Sequence, residues 1–67
     1  MVRANFLNGM KEIVEYVGFA EATVIKHKRI YPGMPIRLEG GRWIGDPARL
    51  ETFYRDLAAG EIDKWII

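Results

Sequence analysis

Met10-Lys11-Glu12-Ile13-Val14-Glu15-Tyr16-Val17-Gly18-Phe19-Ala20-Glu21-Ala22-Thr23-Val24 is the stretch whose reading decides the fold. Met10, Ile13, Val14 and Val17 recur at three- and four-residue spacings, which makes one side of a helix of about two turns apolar. Gly18 ends that stripe with the residue that most readily takes the left-handed conformation a helix C-terminus needs. Phe19, directly after it, is predicted to turn back into the core. A second helix is predicted from Glu21 to about Ile30, with Val24 and His27 on one face and a mostly basic exposed side. Two short helices about a glycine break give a helix-turn-helix over about residues 10–30.

Outward from this unit the chain changes character. Upstream, Asn8 is the predicted cap of the first helix. Downstream, Tyr31-Pro32-Gly33-Met34-Pro35 cannot continue the second helix, because each proline lacks a backbone donor and restricts the residue before it. Ile36-Arg37-Leu38 and Arg42-Trp43-Ile44 alternate in polarity about Glu39-Gly40-Gly41, which predicts a two-stranded hairpin over about residues 36–45. Asp46-Pro47 places a capping side chain before a proline at the first helical position. The third helix that follows, about residues 47–59, buries Leu50, Phe53, Tyr54 and Leu57 and ends at Gly60. The tail Glu61-Ile62-Asp63-Lys64-Trp65-Ile66-Ile67 fits either a last turn or a strand. The fold class is therefore mainly α with a small β-hairpin.

Size and composition bound what such a chain does. Its 67 residues make one domain, 1–67, and bury only about 60% of the surface the unfolded chain exposes. Hydrophobic residues at 49% and charged residues at 28% give a globular balance rather than that of a disordered tail. Without cysteine there is neither a disulfide framework nor a thiolate zinc site, so packing must supply the stability. The apolar runs fall far short of the ~20 residues of a membrane span, and Met1-Val2-Arg3-Ala4-Asn5-Phe6 lacks the apolar core of a signal peptide. A soluble, cytoplasmic protein without a membrane partner is expected.

The net charge of +1 conceals an uneven distribution. Residues 26–45 carry Lys26, Lys28, Arg29, Arg37 and Arg42 against Glu39 alone, a local net of +4, between flanks of −1 and −2. Cations gathered in the middle third are what a local polyanion-binding face requires.

The order of features, helix, glycine turn, helix, Gly33-Met34-Pro35, Gly40-Gly41-Arg42-Trp43 and then Asp46, resembles the winged helix-turn-helix of the MerR-like and excisionase superfamily. Within it the chain is most similar to the N-terminal domain of lambda-type phage terminase small subunits, with AlpA-type prophage regulators and phage excisionases close by. The resemblance covers roughly residues 9–60. It implies that Gly18 makes the turn, that Ile13, Val17, Phe19 and Val24 form the shared core, and that Thr23 begins the stretch entering the major groove. Ala20 stands where that superfamily often has serine or threonine, and His27 where a large apolar residue is common. The implied partner is double-stranded DNA, and the assemblies it allows are a homodimer or a larger phage or prophage protein complex.

The residues themselves supply the chemistry DNA binding needs, cations for phosphates and donors for base edges. With Val24 and His27 inward, Glu21, Ala22, Ile25, Lys26 and Arg29 line the groove-facing side. Arg29 suits a guanine or a phosphate, Glu21 a cytosine amine, and Ala22 or Ile25 a thymine methyl. Lys28 is expected to reach the flanking DNA backbone. Arg37 and Arg42, on either side of the hairpin turn, take the place from which the superfamily's wing arginines reach phosphates or the minor groove. Trp43 is expected to pack under the hairpin, and His27 to be at least half-buried rather than a metal ligand. With no cysteine, no serine and a single histidine, no catalytic constellation, metal site or cofactor is expected. The rival reading is a protein-interaction module on the same scaffold that docks through Trp65, Ile66 and Ile67.

Overall fold

A computed structural model describes residues 6–66. The elements run β1 (Leu7–Asn8), α1 (Met10–Val17), α2 (Glu21–Ile30), β2 (Ile36–Glu39), β3 (Arg42–Gly45), α3 (Pro47–Ala59) and a single 3-10 turn (Asp63–Trp65). Three helices and a small antiparallel sheet match the expected mainly helical class. Among the described residues no helix is long and apolar enough to cross a membrane.

Most boundaries follow the local signals. Gly18 closes α1 at φ 82°, its N–H returning to the Val14 carbonyl at 2.9 Å. Gly40 and Gly41 both take positive φ, 57° and 82°, in the tight turn between β2 and β3. Asp46 caps α3 by accepting from the Ala48 N–H at 3.2 Å, with Pro47 at the first helical position. At the other end Gly60 and Glu61 donate to the Leu57 and Asp56 carbonyls, the paired bonds of a Schellman motif.

The start of α1 differs from expectation. Gly9, not Asn8, is the N-cap, and no side chain caps this helix. Asn8 lies instead in β1, a third strand that pairs with β3 through Leu7 opposite Gly45 and Asn8 opposite Ile44. The strand order is β1-β3-β2, so β3 is central. A two-residue strand has no alternation to detect, which is why its sequence was mute. Glu12 reaches back from the first turn of α1 to accept the Asn8 N–H at 2.7 Å.

Ile13, Val24, Met34, Ile36, Leu50 and Phe53 are fully buried, one or more from each helix, the loop and the sheet. Phe19 is not among them. It remains 42% exposed and lies on His27 and Tyr54, with ring centroids at 5.5 and 5.1 Å. The left-handed turn at Gly18 leads it onto the exposed seam between His27 of α2 and Tyr54 of α3 rather than into the core. Tyr54 and Leu57 are half-buried at the edge of the stripe that Leu50 and Phe53 begin.

The tail resolves as a turn packed on α3. Trp65 stands edge-on to Phe53 at 5.4 Å, its indole N–H donates to Asp56 at 2.8 Å, and its carbonyl accepts the Gly33 N–H at 2.7 Å. Lys64 also reaches Asp56, at 2.9 Å. These two donors hold the Asp56 carboxyl below the usual carboxylate range. Trp65 is thus committed within the domain, Ile66 is 48% exposed, and Ile67 lies outside the described residues.

Two glycines are expected to fail for different reasons. A Cβ at Gly18 meets nothing within 4 Å, so Gly18→Val costs only backbone strain, about 1–3 kcal/mol. A Cβ at Gly45 stands 3.1 Å from Ile36 and 3.2 Å from Leu50, so Gly45→Val overpacks the centre of the core and should melt lower still. Equal melting temperatures for the two variants would show that β3 is not so tightly enclosed.

The Asp56 contacts carry a pH dependence of definite sign. A carboxyl with a depressed folded pKa stabilises fully above its unfolded value, about 3.9, and loses that contribution as the pH falls through the folded value. Acidification below about pH 4 should therefore release Trp65 and shift its emission to the red in a Trp43→Phe background, and Asp56→Ala should show that shift already at neutral pH.

Candidate nucleic-acid interface

The candidate surface is built on α2. Val24 is the one fully buried residue of this helix, and His27 beside it is half-buried, so the inward face is as expected. His27 Nδ1 lies 2.8 Å from the Tyr54 hydroxyl. Burial, and then the nearby Lys26 charge, push the His27 pKa down, while burial pushes that of Tyr54 up to about 12. At neutral pH the imidazole is uncharged and the hydroxyl keeps its proton, so the two share one hydrogen bond whose direction is set by the imidazole tautomer. This bond spans from α2 to α3 and fixes the rotation of α2 about its axis.

That rotation decides what faces outward. Glu21, Ala22, Lys26 and Arg29 are exposed, and Thr23 and Ile25 are partly so. Lys26 and Arg29 are three residues apart and therefore lie on one side of the helix, one turn from each other. Ala20 precedes α2 without a side-chain cap, leaving the first-turn N–H groups without a side-chain acceptor from that residue.

Lys28 behaves differently from the expected outward contact. Its ammonium turns back to donate to the Pro32 carbonyl at 2.6 Å and the Met34 carbonyl at 3.0 Å. Desolvation, and then the charge of Arg37, lower its pKa. Lys28 thus ties the end of α2 to the Pro32–Pro35 loop. A lysine in the last turn before a proline loop is a known carbonyl-capping position, and that signal was available in the sequence.

Pairing fixes which residues share the outer face of the sheet. Arg37 lies opposite Ile44 and Glu39 opposite Arg42, while Ile36 and Gly45 opposite it belong to the core side; Leu38 opposite Trp43 shares that face but lies beyond the core, 56% exposed. Trp43 is half-buried against the core, in keeping with its packing role. Arg37 and Arg42 therefore project from one face although they flank the turn in sequence. Arg37 Nε is 3.5 Å from Glu39, and Arg42 donates to the Asn8 side chain at 3.4 Å. Both Arg37 and Glu39 are well exposed, so their pair is worth at most about 1 kcal/mol and exchanges readily for a stronger anion.

A shallow depression of about 310 Å³ continues this face, between Phe6, Pro35, Ile44 and the side chains of Arg37 and Arg49. Neither Phe6 nor Arg49 carried a sequence signal: the pairing of β1 with β3 brings Phe6 to the hairpin, and the first turn of α3, directly after β3, brings Arg49. Lys26 and Arg29 thus stand on the exposed side of α2, and Arg37 and Arg42 on the outer face of the hairpin. Each pair of exposed cations can take an anionic group.

The two classes of cation should separate on mutation. Lys28→Ala should lower the melting temperature, because two loop carbonyls lose their donor. Lys26→Ala and Arg29→Ala, at exposed positions, should leave stability within about 0.5 kcal/mol of the parent domain. Thermal melts of the three variants check this, and a neutral Lys28→Ala would remove its tethering role.

No known protein family, curated protein or solved structure matches the chain.

Proposed function

We propose that this domain binds double-stranded DNA as a winged helix-turn-helix, with α2 in the major groove and the β2–β3 hairpin as a wing against the adjacent backbone. The observation that carries this reading is the exposed side of α2. Ala22, Ile25, Lys26 and Arg29 share one side of the helix and give it two exposed cations, and the outer face of the hairpin bears two more, Arg37 and Arg42. A helix is about 10–12 Å across with its side chains and the major groove is about 12 Å wide, so the exposed side of α2 matches the groove in size. Lys26 and Arg29 then meet base edges or groove-lining phosphates, and Ala22 and Ile25 pack on thymine methyls. Arg37 exchanges Glu39 for a phosphate. Regulator, excisionase and terminase small subunit would all begin with this binding step.

Duplex affinity should fall with salt at a log–log slope of about −3 to −5, as three to five phosphate contacts imply. On a selected site, Lys26→Ala and Arg29→Ala should relax sequence preference by about 1–3 kcal/mol for each lost base contact. Arg37→Ala and Arg42→Ala should instead weaken all duplexes alike and flatten the salt slope by about one unit apiece. A slope near zero would end the DNA reading, and loss of discrimination in the hairpin variants alone would make the hairpin the reading element.

A further inference from the structure

The outer face of the sheet carries a combination that duplex binding leaves unused. Leu7 lies opposite Gly45 on the core side, so Phe6, one residue earlier, falls on the opposite face with Arg37 and Ile44. There it is 59% exposed, more than any other large apolar side chain among the described residues. Phe6, Pro35 and Ile44 supply the apolar floor of the shallow depression on this face. Arg37 from β2 and Arg49 from the first turn of α3 line it as well. Among the described residues none from α2 takes part.

The chemistry of the lining selects the occupant. An apolar, partly aromatic floor with two arginines suits a flat apolar body that carries negative charge at more than one point. Arg37 and Arg49 are 80% and 73% exposed, and each meets a carboxylate, Glu39 or Asp46, through Nε at 3.5 Å. Such exposed pairs hold weakly, and a phosphate matches the fork of a guanidinium better. Asp46 is in addition engaged as the cap of α3, and Arg42, opposite Glu39, adds a third cation to the face. One nucleotide of a single strand has the matching form, a flat base whose chain bears a phosphate before and after it. A duplex does not, because its bases are stacked inside and show only their edges in the grooves. A peptide added to a sheet takes its main-chain bonds from a strand edge, whereas this floor lies on the face. At about 310 Å³ the depression is at the small end of ligand sites, room for one base rather than a row of them.

The geometry points to a binding site for single-stranded nucleic acid on the outer face of the sheet, with one base stacked on Phe6 beside Pro35 and Ile44 and its neighbouring phosphates held by Arg37 and Arg49. The site stands without the duplex reading. Arg37 and Arg42 serve both surfaces, while Phe6 and Arg49 belong to this one and Lys26 and Arg29 to the other.

The test is the fluorescence anisotropy of labelled strands of about eight nucleotides, as DNA, as RNA and as an abasic DNA backbone, titrated with the protein to about 1 mM. The DNA strand, the RNA strand or both should bind, which identifies the sugar, and the abasic strand should bind at least about fivefold more weakly. Phe6→Ala should weaken the base-bearing strands about 5- to 150-fold, the loss of one stacked base, and leave the abasic strand unchanged. Phe6→Tyr, which keeps a ring, should bind like the parent. Arg37→Ala and Arg49→Ala should each flatten the log–log salt slope for the strand by about 0.7. Lys26→Ala and Arg29→Ala, away from the depression, should change strand affinity less than about twofold at physiological salt. Four outcomes would overturn the proposal: neither base-bearing strand binds, the abasic strand binds as tightly as they do, a folded Phe6→Ala binds them like the parent, or strand binding follows Lys26 and Arg29 instead of Phe6. The abasic comparison uses the parent chain and so decides even where Phe6→Ala does not fold. No arm contains duplex, so the salt-dependent duplex binding stands or falls separately.

Discussion

At Gly45 the backbone of the central strand lies so close to its neighbours that a Cβ would stand 3.1 Å from Ile36, 3.2 Å from Leu50 and 3.4 Å from Ile13. Those three side chains belong to β2, α3 and α1. A missing side chain is therefore what lets the sheet, the first helix and the third helix meet at one point. Small domains bury a limited fraction of their surface, and this one has no disulfide to compensate. Close approach at the centre is the available substitute. The hairpin is thereby set against α1 and α3, and α1 in turn leads through the Gly18 turn into α2.

The attachment of α2 is of another kind. With Val24 its one fully buried residue, the helix has little apolar area to anchor it. Its position depends on bonds at the periphery, from His27 to Tyr54 and from Lys28 to the loop carbonyls, and on the aromatic contacts of Phe19. Each such contact is worth about 1 kcal/mol, so the arrangement orients the helix without enclosing it. An element held by its edges keeps most of its surface for contact with something else, which suits a helix that enters a groove. Phe53 plays the complementary part, sitting at the centre of Tyr31, Tyr54 and Trp65 and gathering loop, helix and tail around α3.

Local signals decided a large share of this architecture. The apolar spacing of α1, the left-handed turn at Gly18, the paired glycines of the hairpin, the Asp46-Pro47 start and the Gly60 stop are chemistry of residues next to one another, and all lie where the sequence places them. So do the inward turn of Val24 and the exposure of Lys26, Arg29, Arg37 and Arg42, because helical and strand periodicity alone assign those faces. Tertiary structure decided the rest. The strand at Leu7–Asn8 exists only because β3 offers it partners 36 and 38 residues on, and it takes Asn8 away from the helix cap the local pattern suggested. Lys28 turned inward because the loop's carbonyls converge on it, and Phe19 stayed at the surface because α2 and α3 meet there in a seam of rings. Trp65, read by sequence as a docking residue, is instead packed against the core through Asp56 and Phe53. In each case the deciding partner lies in another element or loop, and a one-dimensional pattern carries no record of which distant group will arrive.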